Sequence, residues 1–207
     1  MPKPAAAKLK PRVAEIKRKT KETDIRVRLN LDGSGRANVK TGVGFFDHLL
    51  DALGKHGALD LDVTCAGDTH IDDHHSVEDV GIAIGMALKE ALGDKAGIRR
   101  FGFASVPLDE ALSQATFDLS GRPHFSLHGG ELIGKGTVGS FDVELLEDFL
   151  GALVSSSAST LHVEVKSGRN KHHMLESTMK AVARALREAV ERDDRITGIP
   201  STKGILI

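Results

Sequence analysis

Asp72-Asp73-His74-His75-Ser76-Val77-Glu78-Asp79, and again Lys171-His172-His173-Met174-Leu175-Glu176-Ser177 toward the other end of the chain, each place a glutamate three residues after a histidine pair. If such a segment opens a helix, the second His and the Glu are i,i+3 neighbours and the first His and the Glu are i,i+4 neighbours. All three side chains are then expected on one face. A single His-His-x-x-Glu is equally a solvated helix start, with the glutamate favoured near the positive end of the helix dipole. Two copies, each at a strand-to-helix junction after a polar turn, favour metal ligation. Imidazole with carboxylate and no thiolate suits Mn, Fe, Ni, Co or Zn.

The flanking sequence has the same order on both sides. Before the first motif, Ile25, Val27, Leu29 and Leu31 alternate as a half-buried strand, and Asp32-Gly33-Ser34-Gly35 reads as a hairpin turn into Ala37 and Val39. Phe46, Leu49, Leu50 and Leu53 then recur at helical spacing, Leu59 to Cys65 alternate again, and the motif helix runs on to Gly93. In the second half, strands are expected around Ala115 to Leu119 and His124 to Leu127. A glycine-punctuated connection, a helix with Leu146, Phe149, Leu150 and Leu153, a strand at Leu161 to Val165 and the second motif helix follow. Phe46, Leu49, Leu50 and Leu53 lie 100 positions before Leu146, Phe149, Leu150 and Leu153, and His74, His75 and Glu78 lie 98 before His172, His173 and Glu176. Element order, apolar register and ligand motif all repeat, which indicates an internal duplication. The expected fold is α+β: two strand-strand-helix-strand-helix halves, about 22–95 and 100–192, packed as a two-layer sheet and helix body.

The duplication also places further candidates. His48, on the polar side of the first short helix, is expected to join His74, His75 and Glu78. Its counterpart 100 positions on is Asp148, a shorter and negatively charged ligand, so the second set with His172, His173 and Glu176 is expected to be altered. His70, His124, His128 and His162 fit packed or surface positions better than ligation. His56, at a helix end, is a better candidate for substrate contact. Lys180 continues the i,i+4,i+8 line of His172 and Glu176 and holds a cation beside the proposed metal. Arg100, Arg122 and the closing Ser201-Thr202-Lys203-Gly204 add basic and hydroxyl groups suited to a phosphate.

Composition excludes several classes. The 207 residues are 40% hydrophobic and 28% charged, ordinary for a globular chain with a substantial core. A formal net charge of −1 gives no global attraction to nucleic acid or anionic membrane. No apolar run reaches the length of a membrane span, and the first residues lack a signal-peptide core. The single cysteine, Cys65, precludes an intrachain disulfide framework, reads as a small buried hydrophobe and suits a reducing cytoplasm. Residues 1–21, rich in Lys, Arg, Pro and Ala, read as a mobile basic arm, with a nucleic-acid-binding tail as the weaker reading.

Taken together, Thr20-Lys21-Glu22-Thr23, Leu31-Asp32-Gly33-Ser34-Gly35, Thr41-Gly42-Val43-Gly44-Phe45-Phe46-Asp47-His48, Ile71 to Asp79, Leu119-Ser120-Gly121-Arg122-Pro123, His172 to Glu176 and Ser201-Thr202-Lys203-Gly204 resemble the imidazoleglycerol-phosphate dehydratase family. The resemblance covers nearly the whole chain after Lys19. It implies a ribosomal protein S5 domain 2-like fold and metal-dependent dehydration of imidazoleglycerol phosphate to imidazoleacetol phosphate in histidine biosynthesis. It also implies two Mn²⁺ per active site and a homo-oligomeric shell of 24 subunits with sites built between neighbouring chains. Carried over by position, the metal ligands would be His48, His74, His75, Glu78, His172, His173 and Glu176. Glu22 would be an acid/base residue in contact with substrate, and Arg100, Arg122, Lys180, Ser201 and Lys203 would bind the phosphate. The family usually has His at Asp148 and Gln at Ala52, which puts one metal ligand and one substrate contact in question.

The chemistry accounts for these residue types. The proton to be removed is not next to a carbonyl, so a carboxylate base alone faces a large barrier. A Lewis acid on the imidazole nitrogens favours the imidazolate, whose electrons can expel the neighbouring hydroxyl, while Glu22 and Glu176 lie in the neighbourhood for proton relay. Two alternatives use the same ligands: a two-metal phosphate-ester hydrolase and a non-catalytic metal-binding shell.

Overall fold

The computed structural model describes residues 11–206. The first half is β1 (Val13–Lys19), β2 (Thr23–Asn30), β3 (Ala37–Lys40), α1 (Gly44–Gly57), β4 (Asp60–Gly67) and α2 (His74–Leu92). The second is β5 (Phe101–Leu108), β6 (Ala111–Asp118), β7 (His124–His128), α4 (Leu145–Ser157), β10 (Thr160–Ser167) and α5 (Lys171–Val190), with α3 (Gly130–Ile133), β8 (Thr137–Val138) and β9 (Phe141–Asp142) inserted between β7 and α4. The sheets have the same order, β1-β2-β4-β3 and β5-β6-β10-β7. In each, the first two pairings are antiparallel and the last is parallel. The registers coincide as well: Val13 pairs with Asn30, and 88 positions later Phe101 pairs with Asp118.

Three expectations are corrected. Residues 13–19 are not part of a mobile arm, because β1 pairs along its whole length with β2 and buries Ala14. The rest of the proposed arm, residues 1–10, lies outside the described residues. Each half has a further leading strand, so the order is strand-strand-strand-helix-strand-helix. Asp32-Gly33-Ser34-Gly35 does not close a β2–β3 hairpin: β4 lies between the two strands, and β3 runs parallel to it. The connection is tied over the start of β4 by Asp60, whose carboxylate accepts from the Ser34 and Arg36 amides at 2.9 and 3.3 Å.

Within each half the long helix packs on its own sheet, α2 on β1, β2 and β4, and α5 on β5, β6 and β10. Between halves the contacts cross, with α2 against α4 and α1 against α5. The α2–α4 approach is at backbone distance: a Cβ on Gly85 would stand 2.4 Å from the Leu153 carbonyl oxygen, and one on Gly81 2.7 Å from that of Phe149. The core between the halves holds fully buried Phe46, Phe141 and Phe149, with Phe46 edge-on to Phe149 at 5.1 Å. No described helix is long and apolar enough to cross a membrane.

Candidate active site

Both motifs sit at the first turn of a long helix, as their polar lead-ins suggest. Asp72 Oδ1 accepts from the His74 amide at 2.9 Å, and the Asn170 side chain caps α5 by accepting from the His173 amide at 3.4 Å. The expectation of one common face holds only for the first His and the Glu. His172 Nε2 lies 3.0 Å from Glu176 Oε2, and His74 Nε2 lies 4.0 Å from Glu78 Oε2. The second histidine of each pair turns away, with the rings 6.1 Å apart at 75° for His74 and His75 and 6.1 Å at 86° for His172 and His173. Successive residues on a helix are about 100° apart, so adjacent histidines cannot address one point.

His48, His172 and Glu176 bring their ligand atoms within 4.8 Å of one another, the one such group of His, Cys, Asp and Glu among the described residues. His48 Nε2 is 3.1 Å from Glu176 Oε2. Phe45 backs the His172 ring at 4.9 Å between centroids. Lys180 Nζ reaches Glu176 Oε1 at 2.7 Å, as the i,i+4 line requires. Burial by itself would raise the Glu176 carboxyl, but Lys180 and His48 outweigh it and hold it at about 2.

The pairing of halves is the reverse of the sequence expectation. His48 on α1 joins the second motif, and Asp148 on α4 joins the first, because α1 packs on α5 and α2 on α4. Asp148 Oδ2 lies 3.4 Å from His74 Nδ1, whereas Glu78 faces Nε2 of the same ring. The two carboxylates thus flank opposite edges of the imidazole, and His74 and Asp148 line a cleft of about 500 Å³ together with Asp72, Asp73 and Ser140. Burial, then the charge of Asp72, raises the Asp73 carboxyl.

The outward histidines each meet a carboxylate that the sequence reading did not single out. His75 Nδ1 donates to Asp68 Oδ2 at 3.0 Å, and His173 Nδ1 to Glu110 Oε2 at 2.8 Å. Each bond raises its imidazole above the ordinary 6.5. Glu110 is held at about 2, first by His173 and then by the Asn170 amide. A carboxylate on Nδ1 fixes the tautomer that leaves Nε2 bare for a metal. Glu22 lies on the Nε2 side of His75, at 3.9 Å. The signal for Glu110 was present in the repeat: the 88-residue register makes it the counterpart of Glu22.

The basic residues divide between two places. Lys180 stands in the His48 group, and burial followed by the charges of Lys180 and Arg184 lowers His56 nearby. Arg100, at a left-handed φ of 71°, is held by Asp118 at 2.7 Å and donates to the Pro200 carbonyl at 2.9 Å, which brings Ser201 beside it. The Leu119 amide donates to the Arg100 carbonyl at 3.1 Å, so the turn leading to exposed Arg122 begins there. Ser201 Oγ accepts from the Lys203 amide at 3.2 Å. Ala52, where a substrate contact was in question, is buried in the core instead.

The sequence profile of the imidazoleglycerol-phosphate dehydratase family matches residues 41–186, a span that contains both motifs, His48 and Lys180. The chain belongs to this family. Among its dehydratase relatives, the Desulforamulus reducens protein is 57% identical over 195 residues, covering 94% of this chain and 98% of the relative. The Frankia casuarinae protein is also 57% identical, with 94% and 99% covered. The crystal structure of the Staphylococcus aureus dehydratase superposes with a TM-score of 0.79 at 35% identity, covering 87% of this chain and 99% of that one. The Pyrococcus furiosus enzyme in complex with (S)-C348 gives 0.78 at 34%, covering 92% and 100%. The agreement spans both halves of the dehydratase fold, and therefore both motifs.

Proposed function

We propose that this protein dehydrates imidazoleglycerol phosphate to imidazoleacetol phosphate in histidine biosynthesis, as a hydro-lyase with two Mn²⁺ ions per site. The carrying observation is the His48–His172–Glu176 group with Lys180 at 2.7 Å from Glu176, which sets a cation for an anionic substrate against an imidazole and carboxylate ligand group. The donor set fits a borderline or hard divalent ion, and the carboxylates on His75 and His173 present their Nε2 atoms in the ligating form. When bound, the ions supply Lewis-acid polarisation of the substrate imidazole.

The chain's own residues do the rest. Glu22, exposed and close to His75 Nε2, takes the proton from the carbon that carries the retained hydroxyl. The hydroxyl beside the ring leaves as water, taking up the proton that Glu22 has removed, and the resulting enol tautomerises to the ketone. Lys180, Arg100, Arg122, Ser201 and Lys203 hold the phosphate. They lie in two places on one chain, and neither His75 nor His173 belongs to the His48–His172–Glu176 group, which supports sites completed between subunits of a homo-oligomeric shell of 24. The same reading places the protein in the cytoplasm, where Cys65 needs no oxidised partner.

The test is incubation with imidazoleglycerol phosphate after chelation, with and without added Mn²⁺. Metal-dependent formation of the ketone is expected. Release of inorganic phosphate instead would identify a hydrolase, and metal binding without turnover would identify a shell without catalysis.

A further inference from the structure

We propose that buried Asp79 and Thr23, with half-buried Arg18, form a positioning network that fixes the turn carrying Glu22, and that this network exists for catalysis and not for the fold. The inference rests on the acid/base reading of Glu22.

Thr23 Oγ1 donates to Asp79 Oδ2 at 2.6 Å, and Arg18 Nη1 lies 2.5 Å from the same oxygen. Thr23 and Asp79 are 3% and 6% exposed. The turn between Arg18 and Thr23 is closed on itself, since Thr20 Oγ1 accepts from the amides of Glu22 and Thr23 at 3.1 and 3.0 Å. Asp79 follows Glu78 on α2, and Thr23 pairs across the sheet with Gly67, the neighbour of the Asp68 that holds His75. One anchor thus ties the Glu22 turn to the helix and strand end that place His75. The Glu22 side chain itself has a looser approach, 3.9 Å from His75 Nε2.

The duplicated fold supplies an internal control. By the 88-residue strand register Arg18 corresponds to Val106 and Thr23 to Ala111, and by the 98-residue offset of the two motifs Asp79 corresponds to Ser177. The second half keeps the same sheet and helix with no charge there, and Ser113 Oγ instead shares neutral bonds of 2.9 Å with Ser177 Oγ and with Thr178 Oγ1. Burying an ion pair carries a desolvation cost that apolar packing avoids, so the fold alone gives no reason for one. What differs is the turn residue. Glu110 is anchored by its own carboxylate on His173 and on the Asn170 and Arg169 amides. A residue that must exchange protons cannot be held that way, and Glu22 is instead held through its neighbour.

Thr23→Val removes the hydroxyl at nearly constant shape, and Thr23→Ala copies the residue the second half already carries at this position. Both are expected to lower kcat on the order of tenfold or more, since loss of about 1 Å in placement is worth up to a hundredfold. KM and Mn²⁺ affinity should stay within about twofold, because no phosphate or metal group is touched. Thr23→Ser should restore kcat, and Ser113→Ala, which removes the buried bond of the other half, should leave it unchanged. Wild-type kcat in Thr23→Ala, an equal loss in Ser113→Ala, or a parallel fall in Mn²⁺ affinity overturns the proposal. Glu22→Gln separates the two readings: full turnover there removes the acid/base role itself, whereas an impaired Glu22→Gln beside an unimpaired Thr23→Ala removes only the positioning role.

Discussion

Replacing Glu110 by Gln should weaken metal binding through a histidine that the mutation does not touch. Glu110 Oε1 accepts from the Asn170 and Arg169 amides at 2.8 and 3.1 Å, and Oε2 accepts from His173 Nδ1 at 2.8 Å. In Glu110→Gln the amide oxygen keeps the two backbone bonds, which forces the amide nitrogen toward His173. That nitrogen is a donor, so Nδ1 must become an acceptor and the proton moves to Nε2, the position a metal needs. Loss of an orienting partner of this kind costs about 10- to 100-fold in metal affinity. Competition between the protein and a calibrated chelator for Mn²⁺ measures it directly. Glu110→Ala, which leaves His173 free to choose its tautomer, should bind metal better than Glu110→Gln although it loses more bonds. Equal affinities in Glu110→Gln and the wild type, or a weaker Glu110→Ala, would refute the tautomer argument.

Three further outcomes are expected. Asp68 and Glu110 raise the imidazoles of His75 and His173 above 6.5 in the folded chain, so in metal-free protein their stabilisation is full below the unfolded value and disappears as pH rises through the folded one. Chelated protein should therefore lose melting temperature across that window, while Mn²⁺ affinity, which competes with the same protons, should begin to fall on acidification already above pH 6.5. Asp148→Asn should leave the number of bound Mn²⁺ ions unchanged and shift affinity less than about tenfold, since Asp148 stands 3.4 Å from Nδ1 of His74 and does not hold that ring by the short bond of 2.8 Å that Glu110 makes to His173; loss of one ion by metal analysis would make Asp148 a ligand. Gly85→Ala should cost about 1–3 kcal/mol in urea unfolding, because its Cβ would stand 2.4 Å from the Leu153 carbonyl oxygen and push α2 off α4.

The helices and strands whose apolar residues face one way were legible in the sequence: α1, α2, α4, α5, β2, β4 and β10 lie within a few residues of where periodicity placed them. β5 was not, because its pattern is inverted. Phe101 and Phe103 face outward at 55% and 54% exposure, while Gly102 faces α5 so closely that a Cβ would stand 1.9 Å from the Ala185 carbonyl oxygen. Tight packing selected small residues inside, and hydrophobicity no longer marked the inner face. β1 was hidden differently: as an edge strand it carries Glu15, Lys17 and Lys19 on its outer side, and its inner side ends in the charged Arg18, so the apolar alternation is weak.

The sequence by itself determined the duplication, the two His-His-x-x-Glu motifs, Lys180 beside Glu176 and the family. All of these depend on spacing along one helix or on identity at matched positions, and both survive without coordinates. Tertiary structure decided which ligands meet. Crossed packing of α1 on α5 and α2 on α4 gave His48 to the second motif and Asp148 to the first, and the turn of the helix separated His74 from His75 and His172 from His173. It also supplied the carboxylates of Asp68 and Glu110, which lie 7 and 63 residues from their histidines. Contacts between elements depend on how faces pack in three dimensions, and a one-dimensional periodicity specifies that a face is buried without specifying against what.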